Sequence, residues 1–292
     1  EPSAPVASAD GDLLRQLAEE HLPPADAVRW LALLRPAIQL VPLEDDDTPV
    51  ARFGGIASLP DSEIWPTWPD NGPLSYIGEL FCEQVATFPL DIELPTTGRL
   101  LFFYFDGSYD DFDATVGTWD ASSLAGARVI HVQDVLPASP RLAPAGTKTY
   151  PERQLAGRTI MTAPGWDHPD LVAAFTSPGD DDSSLMSHPV TDEVFNEALH
   201  ERHTGPLHQV GGYADPIQGP IEHEVARAAL DNQVPHGDPR LDDEARRWEL
   251  VLQVDSDDDL DMMWGDVGML YWTTRAGEAS PLERTSFTWQ CG

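Results

Sequence analysis

Four carboxylates near the end of the chain raise the first chemical question. Asp255, Asp257 and Asp259 stand at alternating positions, and Asp266 follows eleven residues after Asp255. Calcium loops space oxygen ligands in this way, because a hard divalent cation takes about six to eight of them. The glycine expected at the sixth place is missing: Leu260 stands there, and the twelfth place holds Asp266 where Glu is usual. An EF-hand is excluded on those grounds. Two readings stay open. Asp255, Asp257, Asp259 and Asp266 hold a divalent cation, or they form a solvated acidic turn whose first aspartate caps backbone amides. The second asks less of the residues. The adjoining Met263-Trp264-Gly265-Asp266 places a bend-permitting glycine beside a large aromatic. Trp264 then either lines a pocket or fills the core, and filling is the usual fate of such a ring.

Other chemistry is thinly represented. The nine histidines include His200 and His203, three apart at a helix end, and His223 between Glu222 and Glu224. None falls in a His-Glu-x-x-His pattern, which argues against a metal hydrolase. There is no Gly-x-Ser-x-Gly elbow. The two cysteines, Cys82 and Cys291, lack zinc spacing and any activating neighbour in sequence. Phe53-Gly54-Gly55 is not followed by Lys-Ser/Thr, so it is no phosphate loop. Trp65, Trp68, Tyr76, Tyr104, Tyr109, Trp119 and Trp264 could line a sugar or peptide groove. Of these, Trp65 and Trp68, in proline-rich irregular backbone, are the best placed to be exposed.

Composition narrows the partners. The 292 residues carry 50 Asp and Glu against 17 Lys and Arg, a formal charge of −33, and Lys148 is the only lysine. Nucleic acid and anionic membranes need a basic footprint, so both are set aside. Solubility, cation binding or a basic partner fit better, although a GC-rich genome or a salty habitat would give the same balance. No apolar run reaches the roughly 18 residues that span a bilayer. Two cysteines and no disulfide framework point to a reducing, cytoplasmic setting. The first residue is Glu1 rather than Met, which leaves room for an upstream segment or a trimmed signal peptide.

Elements that would position these groups can be read from periodicity. Residues 1 to 11 are Pro, Ala, Ser and Asp rich and read as loose. Leu13, Leu14, Leu17 and His21 repeat at helical spacing up to Pro23-Pro24. Asp26 reads as the cap of a second helix, which Pro36 stops. Residues 1 to 36 are a helical preface packed on the main body, 37 to 292. Strands are expected over Ala37 to Leu43, Leu74 to Leu80, Arg99 to Phe105, Arg128 to Gln133, Arg158 to Met161 and Thr285 to Cys291. Residues 137 to 192, rich in Pro, Asp and Ser, read as an insertion with a short helix at Asp170 to Phe175. Further helices fall at Asp192 to Glu201, Glu222 to Leu230 and Arg240 to Arg247. Glu249 to Val254 and Val267 to Trp272 make a hairpin with the acidic tip between them. Leu74 to Phe105 echoes that hairpin: each ends in Gly-x-Leu and an aromatic strand. Duplication explains the echo, and so does chance likeness among β-rich segments.

Several motifs then follow one another in order. They are Phe53-Gly54-Gly55, Leu59-Pro60, Trp65-Pro66, Gly72-Pro73-Leu74 with Ile77-Gly78-Glu79-Leu80, and Leu94-Pro95 with Gly98 and Leu100 to Tyr104. After them come His208-Gln209, Gly212-Tyr213, Pro216-Ile217-Gln218, Leu252 to Asp257, Met263 to Asp266 with Gly268, and Gln290-Cys291. In this the chain resembles the YwqG-like family, bacterial proteins built around a domain of unknown function. The resemblance implies an α+β fold with antiparallel sheets and supplies no accepted activity. One departure is Gly78-Glu79, where Ala-Gln is expected, which puts a charge beside a strand end.

The combined expectation is a non-enzymatic acidic protein that binds another protein, a basic one by charge, as immunity proteins that neutralise toxins do. The alternative is a metal- or small-ligand-binding domain at the tip, 255 to 266. Its ligand-binding candidates are Trp65, His208, Gln218, Asp255, Asp257, Trp264 and Asp266. It requires Asp255, Asp257, Asp266 and His208 to converge on one point, and the only cofactor it would take is a divalent cation. An enzyme using paired carboxylates ranks last, since so many acidic residues make some pairing inevitable.

Overall fold

The structure is a computed structural model that describes residues 9–177, 182–202, 205–235, 238–280 and 282–292. His203, His236 and the first eight residues lie outside that set. A ten-stranded antiparallel sheet dominates. Its strands are β1 (Arg35–Pro42), β2 (Ala51–Phe53), β3 (Ser75–Phe81), β4 (Arg99–Tyr104), β5 (Ala127–Val132), β6 (Arg153–Thr162), β7 (His208–Val210), β8 (Trp248–Asp255), β9 (Met269–Arg275) and β10 (Thr285–Gln290). Their order across the sheet is β10-β9-β8-β7-β1-β6-β2-β3-β4-β5. Helices α1 (Ala9–His21), α2 (Pro24–Leu31), α3 (Pro169–Phe175), α4 (Glu193–His200), α5 (Ile221–Ala229) and α6 (Pro239–Ala245) lie around it. The α+β class with antiparallel sheets is therefore the observed one.

The sheet is two copies of one pattern. Strands β1 to β5 and β6 to β10 correspond in order. β2 pairs with β3 as β7 pairs with β8, and the outer strands follow suit. Register holds to the residue: Arg52 opposes Glu79 and Glu79 opposes Leu101, while Gln209 opposes Gln253 and Gln253 opposes Tyr271. Both hairpins shift register at matching places, between Tyr76 and Gly78 and between Leu250 and Leu252. Both short strands run into a double glycine with positive φ, Gly54-Gly55 and Gly211-Gly212. Gly98 and Gly268 lead into β4 and β9. A Cβ on either would lie 2.3 Å from a carbonyl oxygen, of Val132 in one half and of Gln290 in the other. The echo between the hairpins is thus a repeat of whole half-sheets. The two first strands are exchanged: β1 pairs with β7 of the second half, and β6 with β2 of the first.

The halves close on a shared core. Phe102 and Trp272 hold equivalent places and touch edge to face, with ring centroids 5.3 Å apart, although six strands stand between β4 and β9 in the sheet. The sheet must curl strongly to bring them together, as right-handed twist allows. Tyr104 and Phe287 extend the aromatic cluster.

A second core joins Leu14 and Trp30 of α1 and α2 to Leu171 of α3, Phe195 of α4 and Met161 at the end of β6. Asp10 ties this layer down: one oxygen accepts the Met161 N–H and the other the Arg202 guanidinium.

Three expectations need correcting. Residues 137–192 are no insertion, because they supply β6, a central strand that pairs with both β1 and β2. Arg153, Gln154, Gly157 and Arg158 break its apolar pattern and hide all but its end. Pro23, not Asp26, caps α2, with Pro24 in the first turn. Glu79 lies inside β3 rather than at a strand end, buried to 2% exposure between Arg52 at 2.8 Å and Arg99 at 2.9 Å.

Candidate functional site

The acidic tip is held from within. Asp255 ends β8 and is buried, and its Oδ2 accepts the Leu207 N–H at 2.8 Å. Asp257 caps a single 3-10 turn through the Asp259 N–H. Asp259 faces Arg153 at 3.2 Å. Asp261 holds Lys148, the only lysine, through its carboxylate at 3.1 Å and its carbonyl at 2.6 Å. Asp266 is exposed at the surface. Among the described residues, no three His, Cys, Asp or Glu side chains are grouped so as to hold a metal ion. Trp264 is buried between Tyr104 and Tyr150, its indole N–H donating to the Asp255 carbonyl. Trp65 donates to the Leu74 carbonyl and stands edge-on to Phe103. Asp255 and Asp257 do meet His208, whereas Asp266 lies exposed, Trp65 bonds to Leu74 and Gln218 to Cys291.

His208 uses both ring nitrogens. Its Nδ1 accepts the Asp255 N–H at 3.1 Å, which leaves the proton on Nε2, 3.3 Å from Asp257. The same arrangement recurs twice. His168 Nδ1 accepts the Asp170 N–H while Nε2 faces Glu222 at 3.4 Å. His188 Nδ1 accepts the Val190 N–H while Nε2 faces Asp26 at 3.5 Å. An imidazole whose acceptor nitrogen is filled by a backbone amide cannot take a substrate proton there. These three rings fix loops and caps. Burial pushes the Cys82 thiol up to about 11, which keeps it protonated and unreactive.

Open space lies elsewhere. A cleft of about 650 Å³ opens between α4, the segment after β6 and the loop after β7. That volume suits a small ligand or one large side chain. Four neighbouring strands each contribute a side chain that pins the loop wall. Gln209 donates to the carbonyls of Gly211 and Tyr213. Gln253 accepts the Asp215 N–H and donates to the Leu207 carbonyl. Tyr271 donates to the Asp215 carbonyl. Gln290 accepts the N–H groups of Ile217 and Gln218 and donates to the Gly219 carbonyl. Irregular backbone is costly to bury without such partners, so this row makes a rigid wall of residues 211 to 219. In the first half the matching positions hold Arg52, Glu79 and Leu101, and a charged pair replaces the amides.

The cleft lining is acidic. Asp167, Glu193, Glu197 and Asp215 line it, with His200, Arg202 and Trp166. Arg202 is held by Asp10 at 2.9 Å. His200 Nε2 stands 4.0 Å from the Asp215 carboxylate. Burial raises the Asp167 carboxyl above its ordinary value. Gln218 is the one sequence candidate in this lining. Asp167, His200 and Asp215 were missed because they come from three separated segments. The signal that could have found the wall was the pair Gly212-Tyr213 and Pro216-Ile217-Gln218, special backbone followed by polar residues.

Fold and cleft together make an α+β architecture: a duplicated antiparallel sheet with an acidic recess on one side. A family model, described as a domain of unknown function (DUF1963), matches residues 51–291, and the chain belongs to that family. Among curated proteins no match is found. No helix among the described residues is long and apolar enough to cross a membrane.

Proposed function

We propose that the protein is a non-enzymatic binding protein of the cytoplasm whose ligand is another protein, and a basic one. The observation that carries this reading is the recess: a preformed cavity of about 650 Å³ with a surplus of carboxylates, in a chain of net charge −33. A field of that sign draws cationic partners and speeds their encounter. An immunity-type partnership, with this chain masking a basic toxin, is its most specific form. The acidic tip is the weaker place for a ligand, since Asp255, Asp257, Asp259 and Asp261 already answer Leu207, His208, Arg153 and Lys148.

The test is affinity capture with the intact chain at low and high salt, followed by a binary titration with each purified captured protein. A saturable, salt-weakened complex that Glu193→Lys with Glu197→Lys disrupts is expected. Failure to form any saturable complex with a basic protein would sink the reading.

A further inference from the structure

We infer that the protein pairs with a second copy of itself through β5, the outer strand of the sheet, in a two-fold dimer whose sheets join edge to edge; this stands apart from the binding reading above. β5 bonds to β4 alone. The Phe105 N–H donates to the Gly126 carbonyl, and bonds of an antiparallel pair fall on alternate residues. In that register Arg128, Ile130 and Val132 turn their backbone groups to β4, while Ala127, Val129 and His131 turn theirs outward. The Ala127 N–H donates to the Leu124 carbonyl, and the Gln133 carbonyl accepts the Leu136 N–H. Among the described residues, nothing bonds to the Ala127 carbonyl, to either backbone group of Val129 and His131, or to the Gln133 N–H. β5 has no proline, lysine or register shift, the devices that usually keep such an edge single. At the opposite edge, Phe287, Thr288 and Gln290 of β10 are buried, and Glu224 of α5 takes the last two side chains.

Antiparallel self-pairing centred on Ile130 answers every one of these free groups. Val129 of each copy exchanges both bonds with His131 of the other, and each Gln133 N–H meets the other copy's Ala127 carbonyl. Moving the centre to Val129 or to His131 leaves bonds unmade, because the engaged Ala127 N–H or Gln133 carbonyl then falls opposite a free group. Side chains agree with the same centre. Ile130, half-buried, packs on its own copy across the axis. Arg128, exposed and without an ion pair among the described residues, comes diagonal to the other copy's Asp134, a separation that a long side chain spans. Repulsion between copies is also least here. From Ala121 to Pro151 the only carboxylate is that of Asp134, against Arg128, Arg141 and Lys148, in a chain of net charge −33. Salt screens the net repulsion, so the dimer tightens as salt rises, opposite to a complex with a basic partner.

The test is sedimentation velocity of the whole chain from about 10 µM to about 1 mM, the range in which a short strand pairing associates, at physiological and at high salt. A monomer–dimer equilibrium is expected, with amide exchange at Val129, His131 and Gln133 slowing as the dimer fills. Val129→Pro removes an outward N–H and leaves the bonds to β4 alone. It should weaken the dimer at least about tenfold while the melting temperature stays close to wild type. If Val129→Pro unfolds, Arg128→Glu takes its place: facing Asp134 twice over, it should weaken the dimer about tenfold at physiological salt. A monomer at every concentration overturns the inference. So does a dimer that the folded Val129→Pro chain forms equally well, or one that leaves exchange at those three amides unchanged. Loss of the dimer leaves the basic-partner reading standing, and failure to find a basic partner leaves the dimer standing.

Discussion

Buried charge in this chain is paired, and single side chains carry large consequences. Glu79 sits between two guanidiniums that are themselves mostly covered. Glu79→Ala leaves Arg99 without its counter-charge and Arg52 with Glu152 alone, and we expect a loss of about 3 kcal/mol in urea unfolding. At Asp257 the His208 N–H, its largest influence, holds the carboxyl below its ordinary value. The folded value is depressed, so the stabilisation is present above the unfolded value of about 3.9 and disappears as pH falls through the folded one. Asp257→Asn should therefore cost about 1 kcal/mol at neutral pH and nothing at the acid end. Unfolding curves from pH 7 to pH 3 check the convergence.

Among the elements, the loop after β7 depends on the row of strand side chains beneath it. Gln290 alone satisfies two amide N–H groups and one carbonyl. Gln290→Leu strands all three, and we expect about 1–3 kcal/mol of destabilisation. Hydrogen exchange should speed at residues 217–219 more than at Gln209 or Gln253, whose own bonds remain. Protection unchanged at 217 and 218 would show that the row is not what makes the wall rigid. Sequence reading found nearly every helix and the outer strands of both hairpins, because their apolar periods are regular. It lost most of β6, where polar residues interrupt the pattern, and β2 and β7, which are three residues long and owe their existence to neighbours on both sides.

Taken whole, the molecule is two half-sheets that exchange their first strands. Each half lacks a strand it needs, since β1 lies against β7 and β6 against β2. A chain cut within 142–149, between the halves, should give fragments that assemble when co-expressed and do not fold cooperatively apart. Co-purification and a single melting transition test this. Trp272→Ala, which removes one member of the ring pair at the centre of the joint, should cost about 3–5 kcal/mol and weaken fragment assembly with it.

Local chemistry settled much from the residues alone. Regular apolar spacing marked most helices and the longer strands, the ordered motifs implied the α+β class, and the repeated Gly-x-Leu hairpins held the trace of duplication. These are short-range facts, fixed by backbone sterics and by the faces of single elements. Tertiary structure decided the rest. It paired Glu79 with arginines 27 and 20 residues away, locked three histidines into clamps, and set the exposed carboxylates of the acidic tip against Lys148 and Arg153. The recess exists only because α4, the segment after β6 and the loop after β7 converge in space. No spacing rule places Asp167 and Asp215 in one lining, since what sets it is the packing of separate elements.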